Sequence, residues 1–514
     1  MIIGGGHNGL IAANYLALRG RRTVVIEASK KLGGMTTSGN FFAEAPHHVM
    51  HPCAVDVIFM NTTTIPRDLE LAKFGYRTVE PDLPYVYLHP DGSVVPLWRD
   101  SARTVHHIGA LSPHDASAYR ELADLLEKLR SIAVPAMNLS GFDPRNVAKA
   151  AMGALHGRRS LSDIVGFATA SALQVVDERF THPAVRSALL NLAASAGRID
   201  KAGSSMSLLL LALIHDTGIS RPLGGMATLT NALARGLTAR GGQIFTGTAV
   251  EAVELDSGAV RGVNLEDGRF VSARAVLSTA DPHTTLTSLL PRDALDLATT
   301  ARVNHIPANG DGVSPFKVDV ALSGRLTVPG HHLPSADLRV PVQMLGTVDE
   351  ILDSFAAARR GQIPVNPAMW VCIPTAADPS QAPSGEDSAY LYPLAMPLEP
   401  PTGWTEVSSI AEKATLAMAS RYIGGFEDLE KARLVETPPM LAERTRARNG
   451  CLTHVDFDLV RTGPLRPAWG LGGYTTPVAG LFLGGAGSHP GGGVSGLPGK
   501  FSARRVDKFL NKRT

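Results

Sequence analysis

The sequence predicts an α/β fold in which one parallel sheet is assembled from both ends of the chain. Three observations predict it. A hydrophobic strand end, Ile2-Ile3, runs into Gly4-Gly5-Gly6-His7-Asn8-Gly9, with glycines at the G-x-G-x-x-G spacing, and then into a small-residue helix. A β-branched strand, Arg22-Thr23-Val24-Val25-Ile26, follows and ends on Glu27. Near the carboxyl terminus an apolar strand, Leu481-Phe482-Leu483, again ends in glycines and opens onto a last helix.

Each part of the first unit has a physical task. Gly4 allows the tight strand-to-helix turn, Gly6 lets backbone N–H groups approach a pyrophosphate, and Gly9 lets the helix lie against the sheet. The helix N-terminus adds partial positive charge, and His7 and Asn8, between the glycines, are candidates for contact with the cofactor. Gly20 ends the helix. Glu27, at the tip of the second strand, can accept both hydroxyls of an adenosine ribose, which favours a free 2′-hydroxyl over a 2′-phosphate.

Bulk properties narrow the class. A chain of 514 residues is expected to form two closely joined domains. With 49 basic and 47 acidic residues, no field draws it to nucleic acid or acidic lipid. Cys53, Cys372 and Cys451 are far apart in sequence, so neither a disulfide framework nor a C-x-x-C redox pair is available, and disulfide reductases are excluded as a class. No secretory signal precedes the first strand, whose shortness points to residues missing upstream of Met1. The expected location is cytoplasmic, with at most peripheral membrane contact. The longest apolar run, Met206 to Ile214, is about half of the ~20 residues needed to span a bilayer and reads as a buried helix.

After the glycine loop comes Pro46-His47-His48-Val49-Met50-His51-Pro52-Cys53. The histidine spacing, the lack of neighbouring carboxylates and the following proline argue against a metal, leaving His48 as a candidate for catalysis or substrate contact, with packing or capping as the alternative. Tyr85 to Leu97 reads as two strands joined by a Pro90-Asp91-Gly92 turn. Ser112-Pro113 caps a helix, and helices run on to Asp216 as a cover over a sheet. Gly224-Gly225 starts another helix, Gly241-Gly242 precedes a strand, and a small meander from Val250 leads to Ala275-Val276-Leu277-Ser278-Thr279-Ala280-Asp281-Pro282. Phe316 to Leu322 alternates like a strand and carries Lys317. A helix is expected from Ile410 to Tyr422. After Gly484-Gly485-Ala486-Gly487-Ser488-His489-Pro490-Gly491-Gly492-Gly493, the terminal helix is expected from about Val494 to Leu510.

The opening Gly4-Gly5-Gly6-His7-Asn8-Gly9-Leu10, the second glycine pair in Ala28-Ser29-Lys30-Lys31-Leu32-Gly33-Gly34-Met35-Thr36 and the Ala280-Asp281-Pro282 stretch carry a resemblance. Together with the carboxyl-terminal glycine motif they resemble the phytoene-dehydrogenase-like group of the FAD/amine-oxidase superfamily, the branch that takes in the pyridine nucleotide-disulfide oxidoreductase domain-containing protein 2 group. Bacterial-type carotenoid desaturases are cousins. The resemblance implies a Rossmann-like FAD-binding domain of GR2 type with an interleaved α+β substrate domain, built on a mixed sheet with a helical cover. The expected division is 1–80, 220–288 and 460–514 for FAD, and 81–219 and 289–459 for substrate.

On that resemblance Ala28, Gly33, Gly34, Met35 and Thr36 fold over the adenosine, Val250 offers its backbone to the adenine edge, and Ala280 closes the middle FAD segment. Gly487, Gly493 and Val494 would meet the flavin, with His489 near the ring or the ribityl chain. Backbone N–H groups at the last helix would stabilise negative charge at flavin N1. In flavin amine oxidases a lysine opening a similar strand holds a water against flavin N5, which makes Lys317 a catalytic candidate beside the plain alternative of a snorkelling surface lysine. Met35 stands where amine oxidases often have arginine, and no cysteine stands near the carboxyl-terminal motif in sequence, so FAD is expected to be non-covalent. The expected activity is hydride removal from a largely apolar small-molecule substrate to flavin N5, with oxygen or quinone as electron acceptor and no metal. An amine or amino-acid oxidase, with Trp469 and Tyr474 as aromatic walls, is one alternative. A non-catalytic prenyl- or lipid-binding protein like the Rab GDP-dissociation inhibitors is another.

Overall fold

The computed structural model describes residues 1–138, 158–458 and 461–512. A five-stranded parallel sheet has the order Leu481–Leu483, Val276–Ser278, Ile2–Ile3, Val24–Glu27 and Gln243–Thr246. Neighbouring strands in it come from remote parts of the chain, so the two termini and a middle stretch must meet before the sheet is complete. Two helices pack side by side on it. His7–Ala17 buries Leu10, Ile11, Ala12 and Ala13, and Leu497–Asn511 buries Leu497, Phe501 and Val506 against the same cluster. A Cβ on Gly499 would stand 2.2 Å from the Asn8 carbonyl oxygen, so the close crossing of these helices requires glycine there.

The second sheet is mixed and seven-stranded, in the order Glu430–Glu436, Lys317–Leu322, Asp387–Pro393, Met369–Cys372, Val342–Leu345, Tyr85–Leu88 and Val94–Leu97. All pairings are antiparallel except that of Val342–Leu345 with Tyr85–Leu88. The Pro90-Asp91-Gly92 turn joins the last two strands as the sequence predicts, with the His89 N–H donating to the Ser93 carbonyl at 2.9 Å. One sheet face packs on the helix Trp404–Ser420 through Val318, Val320, Leu322 and Leu391. The other faces the helical cover, where Leu122, Leu126, Leu189, Leu192, Leu211 and Ile214 meet Tyr85, Tyr87 and Met344. Residues 139–157 of the expected cover lie outside the described residues.

The Met206–Ile214 run is a short 3-10 turn followed by the helix Leu209–Asp216 with Leu211 to Ile214 buried. Among the described residues no helix is long and apolar enough to cross a membrane. Two helix starts differ from the sequence reading. The helix expected from Ile410 begins at Trp404, directly after Gly403 at φ 80°. The terminal helix begins at Leu497 rather than Val494, because Gly493, Val494 and Gly496 have φ of 87°, 56° and 73°, in the left-handed region where a right-handed helix cannot run.

Candidate active site

The carboxyl ends of the parallel strands open onto a cavity of ≈ 2020 Å³ that continues between the mixed sheet and its helical cover. Single-ligand pockets are commonly about 300–1,000 Å³, so this one has room for a large cofactor and a substrate together. Its position is the one expected for an open α/β sheet, at the carboxyl ends where helix N-termini point outward.

At the sheet end, Gly4, Gly6, His7 and Asn8 line the cavity. The helix His7–Ala17 has Gly6 as N-cap and no side-chain cap, so its first N–H groups are left for a ligand. A Cβ on Gly6 would meet nothing nearer than the Gly33 carbonyl oxygen at 3.7 Å, which leaves the space in front of the loop open. A Cβ on Gly9 would stand 2.0 Å from the Gly4 carbonyl oxygen, so Gly9 is a packing residue behind the wall. Glu27 accepts the Gly5 N–H at 2.6 Å and the Ser29 N–H at 2.8 Å. Those bonds aim its carboxylate along the cavity rim and leave lone pairs for two further donors.

Ala28, Gly33, Gly34, Met35 and Thr36 form the next part of the wall. Gly33 has φ 124°, and the Thr36 hydroxyl donates to the Gly33 carbonyl at 2.6 Å, which closes the loop. Val250 and Ala280 line the same end. His489, Gly493 and Val494 also reach the cavity, and the Tyr474 hydroxyl donates to the His489 carbonyl at 3.1 Å. Gly487 does not line it, since a Cβ there would press 2.6 Å from Pro282. An uncapped helix start, an aimed acid, a glycine loop with free space before it and a second glycine turn opposite together fit an adenine dinucleotide carrying a flavin.

At the other end the mixed sheet supplies one face. In a strand, residues two apart share a face, and in the Lys317–Leu322 strand Lys317, which lines the cavity, shares its face with Asp319 while Val318 and Val320 face the core. The register then sets Glu436 beside Lys317 and Tyr390 beside Asp319. Lys317 is 4% exposed, so the snorkelling alternative is overturned. Its Nζ donates to Asp319 Oδ1 at 2.7 Å and stands 3.2 Å from the Tyr390 ring centroid. Burial lowers the Lys317 ammonium from its ordinary range against the opposing pull of Asp319, and burial pushes the Asp319 carboxyl up to about 6. Arg444 pairs with Glu436, with Nη2 on Oε2 at 2.8 Å, and donates to the Gly34 carbonyl at 3.2 Å, which ties the substrate sheet to the glycine-pair loop.

His48 is buried but does not line the cavity. Its Nε2 stands 3.1 Å from both the Leu322 carbonyl oxygen and Glu386 Oε2 at the far end of the Lys317 strand. The expected substrate-facing place for His48 is therefore corrected, as is the absence of a carboxylate near this histidine group. His51 is also buried, 2.7 Å from Gln381 Oε1, and burial takes its imidazole down to about 4. The expectation that no cysteine comes near the carboxyl-terminal motif is corrected too. Cys451 and Cys53 both line the cavity, and Thr453, two residues from Cys451, lies where a Cβ on Gly492 would be 2.8 Å away. Burial pushes these thiols up to about 11 and about 12, which keeps them protonated and poor nucleophiles at neutral pH.

Several residues in or directly behind the cavity wall were not singled out from sequence. Asp319 could have been, by counting two along the strand from Lys317. Glu436, Tyr390, Tyr392 and Trp370 reach the site by register between strands distant in sequence, for which the sequence carries no local sign. Asp56, in an irregular segment, is likewise silent. Trp469 stands at the cavity mouth and is 74% exposed, while Tyr474 is buried in the wall.

A family model described as flavin containing amine oxidoreductase matches residues 9–383. The chain is 29% identical to pyridine nucleotide-disulfide oxidoreductase domain-containing protein 2 of Mus musculus, over 99% of this chain and 93% of that one. It is 25% identical to the neurosporene-forming phytoene desaturase of Cereibacter sphaeroides, over 97% and 92%. In fold it is similar to an oxidoreductase from Methanosarcina mazei, with a TM-score of 0.64, 15% identity and 99% of each chain covered.

Proposed function

Because this chain belongs to the flavin containing amine oxidoreductase family and is an FAD-dependent oxidoreductase, we propose that it withdraws hydride from a C–H bond of a largely apolar small molecule while the neighbouring atom gives up a proton to water or a basic group, so that a new double bond forms. The observation that carries this reading is the continuity of one cavity from the glycine loop at Gly6 to a chamber walled by Trp370, Tyr390, Tyr392, Phe355, Leu210 and Leu213. A substrate enclosed by such side chains binds chiefly by burying apolar surface. The segments 1–80, 220–288 and 460–514 are proposed as the FAD-binding domain, and 81–219 with 289–459 as the substrate domain.

FAD, when bound, supplies the hydride acceptor. The first-turn N–H groups at His7 and Asn8 would hold its diphosphate, Glu27 its adenosine ribose, and the Gly493-Val494 backbone the edge where negative charge gathers on reduction. The Lys317 ammonium, held by Asp319 on one side and Tyr390 on another, is fixed at the junction of the two ends of the cavity, where it can orient a water or hold a proton. The aromatic walls exclude bulk water and fix the substrate face presented for hydride removal. The protonated state of Cys53 and Cys451 supports non-covalent FAD. Oxygen or a quinone is the proposed electron acceptor.

Anaerobic titration of the flavin-loaded protein with a panel of polyenes, amines and apolar alcohols tests the reading. Bleaching of the flavin absorbance by a polyene or alcohol is the expected result. Bleaching by amines alone would replace the reading with that of an amine oxidase.

A further inference from the structure

Asp56 is a carboxylate of the cavity wall that neither cofactor binding nor the Lys317 pair uses. Asp56 lies on the cavity wall in an irregular stretch fixed on both sides. The Ala54 N–H donates to the Met35 carbonyl at 3.2 Å, and Val57 exchanges backbone hydrogen bonds with Ser220 at 2.8 and 3.2 Å. These tethers run from the glycine-pair loop to the residue before the short strand Arg221–Pro222, so Asp56 is held at a set place on the cavity wall.

Its carboxylate is poorly satisfied by the protein. The Tyr85 hydroxyl reaches Oδ2 only at 3.5 Å, at the outer limit of a hydrogen bond, and among the described residues no ion pair to Asp56 is found. Arg221 lies behind it, 3% exposed, with Nη1 donating to the Val340 carbonyl at 2.6 Å and with Nε and Nη2 lacking partners among the described residues. Burial raises the Asp56 carboxyl above its ordinary range, while the Arg221 charge and the Tyr85 hydroxyl oppose that shift. The Trp370 indole does not supply a closer donor. The Tyr85 and Trp370 rings stand 5.1 Å apart, and the Trp370 indole N–H is already given to Asn191 at 2.7 Å.

A carboxylate facing an apolar chamber keeps its hydrogen bonds only while water stays beside it. A hydrocarbon filling the chamber would expel that water and leave the acid unpaired, which disfavours binding. We propose that Asp56 is the polar anchor of the chamber, accepting a hydrogen bond from a hydroxyl or amine N–H carried by an otherwise apolar substrate, so that the substrate is amphipathic rather than a pure hydrocarbon. The proposal rests on the reading of this cavity as the substrate chamber. Arg221 acts as a positioning residue, favouring the ionised acceptor from behind.

The test is equilibrium binding to the FAD-loaded protein under anaerobic conditions, read by calorimetry and by the flavin difference spectrum. The probes are 4-phenylbutan-1-ol, 4-phenylbutylamine and butylbenzene, which share one apolar body. At least one polar probe is expected to bind roughly tenfold or more tighter than butylbenzene, as a hydrogen bond to a charged group allows. Asp56→Leu is expected to reverse that order. Asp56→Asn separates the two donors, retaining most alcohol binding and losing amine binding if the recognised group is an ammonium. Equal or weaker binding of both polar probes in the unaltered protein overturns the proposal, as does a polar preference of unchanged size in Asp56→Leu. Flavin content and thermal midpoint report whether each variant is folded, and if Asp56→Leu is not, Asp56→Asn and Asp56→Ser carry the comparison. Binding is read without turnover, so a failure of hydride transfer with every panel compound would sink the proposed function while leaving the anchor separately measurable.

Discussion

Replacing Gly6 by alanine separates the folding role of the first glycine loop from its ligand role. Gly6 has φ −71° and ψ 170°, which alanine adopts freely, and its added Cβ would come no nearer than 3.7 Å to any heavy atom. The apoprotein should therefore be unharmed or gain about 0.4–1 kcal/mol from a less flexible unfolded chain. The methyl group would instead occupy the open space where a pyrophosphate approaches the backbone. Losing one hydrogen bond to a charged oxygen costs about 1.5–3 kcal/mol, which corresponds to a roughly ten- to 150-fold weaker FAD affinity. Gly9→Ala is the opposite control. Its Cβ would stand 2.0 Å from the Gly4 carbonyl oxygen, so helix and strand must move apart, and the apoprotein itself should lose about 1–3 kcal/mol. Urea unfolding of both apoproteins, with FAD titration by flavin fluorescence, reads the two effects separately. An unchanged FAD affinity in Gly6→Ala would refute the placement of the diphosphate, and a Gly6→Ala apoprotein as unstable as Gly9→Ala would refute the steric argument.

Asp319→Ala leaves the buried Lys317 ammonium without its counter-charge and should cost about 3–5 kcal/mol in urea unfolding, much of it recovered in the Lys317→Met/Asp319→Ala double variant, and equal losses in both would contradict the pairing. His51 stays neutral in the folded protein down to about 4, against 6.5 when free, so its favourable contribution is full above pH 6.5 and is lost as the pH falls toward 4. That loss is of the order of 3 kcal/mol, and His51→Gln should flatten the corresponding part of the stability profile if the histidine is its source. Acid precipitation should release the flavin into the supernatant, since the Cys53 and Cys451 thiols are protonated at neutral pH, and yellow colour remaining in the pellet would overturn non-covalent binding. His489→Ala, with flavin potential and reductive half-reaction measured separately, should change at least one of them, and no change in either would leave the backbone N–H groups as the functional part of that loop.

The cofactor half of the molecule was legible because its requirements are local. Gly4, Gly6, Gly9 and Glu27 lie in one strand-helix-strand unit, and each glycine has its own reason to lack a side chain. The carboxyl-terminal motif was harder to place, because a run of glycines signals backbone freedom without saying what the freedom is for. Left-handed residues at Gly493, Val494 and Gly496 delay the helix, and Pro498 near its start was the better marker of where it begins. The substrate half depends on register. Alternation along Lys317-Val318-Asp319-Val320 says that lysine and aspartate share a face, but which face meets the cavity is decided by the helix Trp404–Ser420 covering the other one. Thr453, two residues from Cys451, is distant from Gly492 in sequence and close in space for the same kind of reason, so the argument from sequence separation failed.

The charge arrangement along the cavity bears on what it can accept. Lys317 is matched by Asp319 and Arg444 by Glu436, so two cations beside the junction of cofactor and chamber are each neutralised by a partner on the same sheet. Neither pair is then free to serve as the main counter-ion for a charged substrate, because breaking it would strand a buried charge. Asp56 differs, since its nearby opposite charge, Arg221, lies behind the wall and beyond ion-pair distance. Discrimination in such a chamber follows from the unpaired group. An apolar body is accepted almost anywhere along the aromatic walls, with a methylene more or less changing affinity only modestly, whereas a donor that fails to meet the carboxylate leaves it unpaired in a dry site. The position of the donor relative to Asp56 would therefore select which carbon of the substrate stands before the flavin.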